Sequence, residues 1–201
     1  MSEETEPRPE RIVFRVGRNI YLRPVLKEDL PKLTIWINDP EVTMFLKASL
    51  PMTPEDEEGW YKKLSQKNDT EIRLSIVLKE TDEFIGIIAL HKINRQNGTA
   101  TSGSFIGRKD FWGKGYGTEA STLLLEYAFN TLNLRKINSS VLTYNVRSKR
   151  RLEKCGYKEE GVRKAQIYRL GQYHDEILMA VFREDFVPIW EHYRSAFLAR
   201  L

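Results

Sequence analysis

The sequence has 201 residues, of which 41% are hydrophobic and 30% charged, with a net charge of +4 and a single cysteine, Cys155. This much apolar material can build one core, which excludes a disordered or fibrous chain. One cysteine excludes a scaffold built on internal disulfides. The apolar runs are too short to span a membrane, and the polar N-terminus lacks the apolar core of a signal peptide. We therefore expect one cytoplasmic domain without a membrane partner. We also expect no metal site, because the histidines are few and scattered.

The N-terminal part of the sequence predicts a hairpin followed by two helices. Residues 1–10 are polar and predict a flexible tail, whereas Arg11–Val16 and Ile20–Pro24 are strand-like runs that flank a turn. From Asp29 the apolar residues recur at helical spacing. Thr53-Pro54 predicts the start of a second helix, because threonine is a good N-cap and proline suits the first turn.

Strands dominate the middle of the sequence. Ile72–Leu78 alternates with period two, and Phe84–Lys92 is apolar enough to be buried on both faces. Asn97-Gly98 predicts a tight hairpin turn into a strand over Ala100–Gly107. A glycine-rich turn, Trp112–Gly117, then leads into an amphipathic helix.

The C-terminal part predicts further strands and two more helices. The expected segments are a strand over Ile137–Leu142, a helix over Ser148–Lys154 closed by Gly156, a hairpin of Val162–Tyr168 with His174–Phe182, and a helix over Phe186–Leu201. We therefore predict a single α/β domain over residues 11–184, and a C-terminal helix over 185–201 packed on the domain or on a partner. An aromatic face on that helix suggests a homodimer surface, formed by Trp190, Tyr193 and Phe197.

The three glycines at positions 113, 115 and 117 are the strongest chemical signal in the sequence. Glycine leaves backbone N–H groups unobstructed, and the N-terminus of the following helix carries partial positive charge. Such a nest suits a pyrophosphate. A tight turn that only admits a helix onto a sheet would use the same glycines, so spacing alone leaves both interpretations open. The pattern is not a P-loop, because no Gly-Lys-Ser/Thr follows.

Four segments together resemble one enzyme family. Residues 112–120, WGKGYGTEA, are similar to the acetyl-CoA pyrophosphate loop of the GNAT acetyltransferases, Q/R-x-x-G-x-G/A. Residues 145–157 resemble the family's asparagine turn, short helix and Gly-Phe/Tyr element. Leu22–Trp36 resembles the opening strand and helix of the RimJ/RimL-like branch, and residues 160–175 resemble the last hairpin of spermidine and ribosomal-protein acetyltransferases. The resemblance covers about residues 19–184.

The resemblance implies a GNAT-like fold: a mixed, mostly antiparallel central sheet flanked by helices, in which two parallel strands splay apart. Here these strands would be Ser104–Gly107 and Asn138–Leu142, with acetyl-CoA as the donor between them. Unpaired backbone N–H groups of residues 105–107 would hold its pantetheine arm. The implied cofactor contacts are Phe105, Ile106, Gly107, Trp112, Gly113, Lys114, Gly115, Tyr116, Gly117, Thr118, Asn145, Arg147, Ser148 and Arg151.

Three positions depart from the family pattern. Trp112 replaces a glutamine or arginine that contacts phosphate, Leu152 replaces a tyrosine that protonates the leaving thiolate, and Ser102 replaces a glutamate base. The fold and the donor therefore carry over more directly than the acid and base assignments.

Three other residues are candidates for the catalytic roles. Ser148 is a candidate proton donor or only a helix N-cap, and Asn145 either bonds the cofactor arm or is only a turn residue. Asp175 either steers or deprotonates the amine or is only an exposed strand residue. We expect the histidines to be structural or exposed, namely His91, His174 and His192.

Two charged runs have more than one interpretation. The basic run Arg147–Arg151 suits the 3′-phosphate end of the cofactor, a nucleic acid, or only solvent. The acidic run Glu55–Glu58 suits either a cationic acceptor or the positive end of its own helix.

Together these patterns predict an acetyl-CoA-dependent N-acetyltransferase acting on a primary amine, such as a protein N-terminus, a polyamine or another small amine. A different acyl group or an oxygen acceptor stays open. The alternatives from other classes are a catalytically silent acyl-CoA sensor and a nucleic-acid-binding protein, of which the nucleic-acid partner is disfavoured.

Overall fold

One mixed sheet of eight strands organises the described part of the chain. A computed structural model describes residues 11–46, 50–66 and 69–198, so the predicted tail of residues 1–10 lies outside the described residues. The strands are β1 (Arg15–Val16), β2 (Ile20–Pro24), β3 (Ile72–Leu78), β4 (Phe84–Asn94), β5 (Thr99–Ile106), β6 (Lys136–Leu142), β7 (Lys158–Arg169) and β8 (Gln172–Phe182). The helices are α1 (Leu30–Ile37), α2 (Pro40–Thr43), α3 (Pro54–Ser65), α4 (Tyr116–Glu126), α5 (Val146–Lys154) and α6 (Arg183–Leu198).

The spatial order of the strands is β1-β2-β3-β4-β5-β6-β8-β7. Among the described strands the neighbours pair antiparallel, except for β5 and β6, which are parallel. This confirms the predicted mixed, mostly antiparallel sheet. Helix α4 makes the crossover between the two parallel strands, as such a connection requires.

Helices α1 and α3 both begin next to a polar residue, but only the one before α3 caps its helix through its side chain. Thr53 caps α3 in a reciprocal capping box with Asp56, which confirms the predicted helix start. Asp29 accepts two hydrogen bonds of 2.7 Å from Arg23 on β2 and one from the Ser75 hydroxyl on β3. Asp29, at the start of α1, is thereby joined to two strands.

The two faces of the sheet carry separate apolar clusters. The larger cluster lies between one face and the helices α4 and α6, and includes Leu123, Phe129 and Phe186. The smaller one lies against α1 and α3 on the other face, and includes Trp36 and Ile87. The sheet is therefore covered on both sides, as the apolar strand Phe84–Lys92 predicted.

Helix α6 packs on its own domain. Trp190 and Tyr193 lie against the larger cluster, and Phe186, Trp190 and Tyr193 form a continuous stack of rings. The Tyr193 hydroxyl also donates to the buried carboxylate of Glu119 on α4. Two of the three residues of the predicted dimer surface, Trp190 and Tyr193, thus pack within the domain. The side chain of the third, Phe197, lies outside the described residues. No described helix is both long and apolar enough to cross a membrane.

Candidate active site

A cleft opens where the parallel strands β5 and β6 separate. They pair over Thr99–Thr101 and Lys136–Asn138 and then diverge, which confirms the predicted splay. The cleft between and beside them has a volume of about 930 Å³. The predicted site residues that line it are Phe105, Ile106, Trp112, Gly113, Gly115, Tyr116, Gly117, Thr118, Asn145, Arg147, Ser148 and Arg151. Gly107, Lys114 and Asp175 are not among the lining residues.

The hydrogen bonding of β5 decides which backbone amides face the cleft. The N–H of Gly107 donates to the carbonyl of Ile85 at 2.9 Å, so this amide belongs to the sheet. Because amides alternate sides along a strand, the N–H groups of Ser104 and Ile106 point the other way, toward the splayed β6. The prediction that residues 105–107 all present free amides is therefore wrong for Gly107, and the same alternation turns the Phe105 amide toward β4.

The glycine turn is open above its backbone. Gly113 and Gly115 adopt φ values of 78° and 90°, and a Cβ built on either would meet no atom within 4 Å. Gly115 is the N-terminal cap of α4, whose first amides have no partner within the helix. The turn therefore presents free N–H groups, the helix dipole and open space, which is the cradle that a pyrophosphate needs.

Trp112 ties the turn to the end of β5. Its indole Nε1 donates to the carbonyl of Ile106 at 2.7 Å. The Arg147 guanidinium lies over the same indole ring, 4.1 Å from its centroid. A tryptophan in the position of a family glutamine or arginine thus keeps a cation beside the turn by stacking.

Arg151 extends from α5 beneath the glycine turn. Its guanidinium donates to the hydroxyls of Ser104 at 2.8 Å and Ser121 at 2.6 Å, and it also bonds Ser148 at 3.3 Å. In the described part of the chain, no carboxylate forms an ion pair with it. Burial lowers the pKa of Arg151. A partly buried guanidinium held by hydroxyls beside the turn favours a phosphate ligand.

Asn145 caps helix α5. Its side-chain oxygen accepts the backbone N–H of Ser148 at 3.1 Å, so the cap of this helix is Asn145 and the N-cap interpretation of Ser148 is wrong. The Ser148 hydroxyl lies in the cleft lining and accepts from Arg151. Of the basic run, Arg147, Arg150 and Arg151 also line the cleft, while Lys149 pairs with Glu159.

Asp175 lies outside the cleft lining. Its carboxylate accepts the N–H of Ala165 at 2.8 Å and pairs with Lys164 at 2.9 Å. These contacts lower the pKa of Asp175, the backbone hydrogen bond most of all. Ala165 has a φ of 46° within an irregularity of β7, so Asp175 stabilises this bulge.

The structure brings His91 into the cleft lining, whereas from the sequence we expected this histidine to be structural or exposed. His91 and Arg73 line the end of the cleft on the face that carries α1 and α3. The Nδ1 atom of His91 lies 2.6 Å from the Glu71 carboxylate. The acidic residues Glu55–Glu58 of α3 are not among the lining residues, and Glu57 is buried behind Arg73.

The comparisons with known proteins agree with this geometry. The family model for the acetyltransferase (GNAT) domain matches residues 19–158, more than two thirds of the chain. The chain belongs to the GNAT acetyltransferase family. As in that family, its donor is acetyl-CoA and its activity is acetyl transfer to an amine.

Individual relatives span most of the chain. "Uncharacterized N-acetyltransferase p20" of Bacillus licheniformis is 31% identical over 171 residues, 82% of this chain and 93% of the relative. The ribosomal protein uS5-alanine N-acetyltransferase of Escherichia coli is 28% identical, covering 72% of this chain and 78% of the relative. The crystal structure of spermidine N-acetyltransferase from Vibrio cholerae, with CoA and spermine, superposes with a TM-score of 0.78 at 24% identity. The superposition covers 84% of this chain and 98% of the Vibrio cholerae chain.

Proposed function

We propose that this GNAT enzyme binds acetyl-CoA with its pyrophosphate on the Trp112–Thr118 turn and its pantetheine arm between β5 and β6. The observation that carries the proposal is the open turn at Gly113 and Gly115, which leads directly into the cleft. Arg151 and Arg147 supply positive charge beside the turn, and the amides of Ser104 and Ile106 supply donors along the arm. When bound, the cofactor supplies an acetyl thioester that an amine can attack.

Within this proposal the residues of α5 act on the thiol end. Asn145 holds the first turn of α5, and that helix carries Ser148 into the cleft. The Ser148 hydroxyl accepts a hydrogen bond from the Arg151 cation, which makes its own proton easier to give away. Ser148 is therefore our candidate for protonating the departing thiolate in place of the tyrosine that Leu152 replaces. Leu152 itself is fully buried in the core.

The charge of the cleft favours an acceptor with few positive charges. None of the described lining residues is Asp or Glu, whereas the basic ones are Arg73, Arg147, Arg150, Arg151 and Lys154. A polyamine carries several positive charges that this lining would repel. The interpretation of Asp175 and Glu55–Glu58 as groups that attract a cationic acceptor lacks support, because neither lines the cleft. We therefore propose an α-amine, such as a protein N-terminus, whose pKa of about 7.7–8.0 leaves a far larger fraction uncharged near pH 7 than an alkylamine of pKa about 10.4.

A screen for released thiol tests the proposal. The protein would be incubated with acetyl-CoA and, in parallel, with a peptide that begins with alanine, the same peptide with a blocked N-terminus, and spermidine. We expect release with the free peptide above the blocked control, and less with spermidine. Higher turnover of spermidine would overturn the choice of acceptor but not the enzyme class.

Calorimetry with CoA separates the remaining alternatives. Micromolar CoA binding without thiol release for any amine would favour an acyl-CoA sensor. Retention of RNA or DNA that weakens with salt, without CoA binding, would favour the nucleic-acid interpretation.

We also propose a cytoplasmic enzyme, in keeping with its single, buried and unpaired Cys155. A homodimer stays a proposal, tested by sedimentation over a range of protein concentrations.

A further inference from the structure

The face of the sheet opposite α4 carries a histidine in contact with a carboxylate at the edge of the cleft. His91 on β4 lies directly across from Thr101 on β5, and its ring extends over Gly103. A Cβ built on Gly103 would lie 3.7 Å from Nε2 of His91. Because glycine has no side chain, nothing from Gly103 covers this nitrogen. The Nε2 side of the ring therefore faces the space beside the splayed strands.

The other ring nitrogen is held by an acid. Nδ1 of His91 and the Glu71 carboxylate are 2.6 Å apart. A carboxylate can only accept a hydrogen bond here, so Nδ1 carries the proton and Nε2 keeps its lone pair. Glu71 also pairs with Arg73, which holds the carboxylate in place.

The surrounding charges keep the ring neutral near pH 7. Burial lowers the pKa of His91, Arg73 on β3 and Lys92 on β4 lower it further, and Glu71 opposes them. Glu57 of α3 faces Arg73 from behind, and burial raises the pKa of its carboxyl. The β5 residues opposite the ring, Thr101 and Gly103, carry no charge. His91 is thus a neutral base with its free lone pair on the cleft side.

We propose that His91 is the general base that deprotonates the acceptor amine, and that Glu71 is a positioning residue that sets its tautomer; the inference rests on the proposed N-acetyltransferase activity. Nε2 takes a proton from R–NH3⁺, directly or through one water. The amine lone pair then forms the C–N bond to the acetyl carbon as the C–S bond breaks, and the sulfur keeps that electron pair. The new amide nitrogen releases its second proton to solvent. The thiolate gains a proton from Ser148, which takes one back from solvent, and His91 returns its own proton to solvent, so that one proton is released per turnover.

His91 can supply the general base that is missing where Ser102 replaces the family glutamate. The glutamate base of the family pattern is absent from β5, and Ser102 instead bonds the buried Tyr157 hydroxyl at 2.7 Å. His91 lies on the adjacent strand. A base with a pKa below 6.5 suits an α-amine of pKa about 8 better than an alkylamine near 10.4, because the proton transfer is less uphill.

Replacing His91 by alanine tests the base directly, with the alanine peptide as acceptor. We expect kcat to fall about 100-fold or more, a typical loss for a general base, with the Kd for CoA unchanged. The kcat of the native enzyme should rise with pH through a pKa below 6.5, and this limb should disappear in His91→Ala. Added imidazole should restore part of the rate. His192→Ala, on the exposed face of α6, is the matched control and should keep the native profile.

A Glu71→Gln variant and NMR test whether Glu71 positions His91 or only stabilises the fold. Because Glu71 raises the pKa of His91, Glu71→Gln should move the acidic limb of kcat to lower pH. Nitrogen-15 NMR of labelled histidine, assigned with His91→Gln, should show His91 protonated on Nδ1 and titrating below 6.5 in the enzyme without ligands.

Three results would overturn the inference. They are an unchanged rate and pH profile in folded His91→Ala, a proton on Nε2 in the NMR spectra, and a His91 pKa above 7. If the native protein released thiol with no amine at all, the proposed function itself would fail and this inference with it. Native turnover with normal His91→Ala activity would remove only His91.

Discussion

Gly107 packs so tightly against Trp36 that a Cβ at Gly107 would lie 1.9 Å from the indole Cδ2 of Trp36. Gly107 follows β5 directly, and Trp36 is buried in α1. The contact therefore fixes α1 against the end of the strand that lines the cleft. A residue that the sequence assigned to cofactor binding instead serves the packing beneath the site.

Gly107→Ala should destabilise the protein by about 1–3 kcal/mol, because the methyl group forces Trp36 to move in a packed cluster. Denaturant unfolding measures the loss. Gly59→Ala is the matched control, since nothing lies within 4 Å of a Cβ at this helical position and alanine favours a helix. Gly59→Ala should be as stable as the native protein or more so; equal stability of both variants would refute the packing role.

Gly115→Asp should abolish measurable CoA binding. The carboxylate would occupy the open space above the turn and repel the pyrophosphate, at a φ of 90° that aspartate adopts only with strain. Gly171→Asp is the matched control, because Gly171 has a φ of 80° and equally open space but lies in the β7–β8 turn. Both variants should lose some stability, and calorimetry should show loss of CoA affinity in Gly115→Asp alone.

Arg151→Met should weaken CoA binding at least about tenfold, the effect of losing one charge-assisted phosphate contact of 1.5–3 kcal/mol. The salt dependence of binding should flatten in this variant, because one ionic contact is gone. Arg95→Met, on an exposed turn away from the cleft, controls for net charge. Equal CoA affinity in the two variants would exclude Arg151 from the phosphate site.

Ser148→Ala should lower kcat much more than it changes the Michaelis constants, if the hydroxyl protonates the thiolate. Helix α5 should be unaffected, since its cap is Asn145. Ser195→Ala on α6 provides the control, and the measurement is steady-state thiol release. Native kcat in Ser148→Ala would leave water as the proton source.

Tyr193→Phe should destabilise the domain by about 0.5–1.5 kcal/mol, the usual contribution of a hydrogen bond. The hydroxyl donates to Glu119 at 3.1 Å and accepts from the backbone N–H of Arg18 at 3.1 Å. Tyr168→Phe on the exposed hairpin should be neutral. Thermal melts at several protein concentrations check this, since α6 docked on its own domain predicts a loss that does not change with dilution.

The order of elements and the donor loop could be predicted because their signals are local. Each of these signals acts within a few residues: the period-two alternation in Ile72–Leu78, the Thr53 cap and the glycines of the turn. The resemblance over residues 19–184 added the splay of β5 and β6, which pairing confirms. Local signals could not decide which of Ser148 and Asn145 caps helix α5, because serine and asparagine are both good N-cap residues.

The composition and local patterns of the sequence alone determined an α/β chain with a glycine-rich turn ahead of a helix. Only the tertiary structure decided which side chains reach the cleft. The clearest case is His91: the pairing of Asn94 with Thr99 would place His91 opposite Ser102, but an irregularity near Lys92, whose φ is 51°, shifts it opposite Thr101. Because side chains alternate with a period of two, one residue of shift turns His91 to the other face of the sheet, toward Glu71 and Gly103.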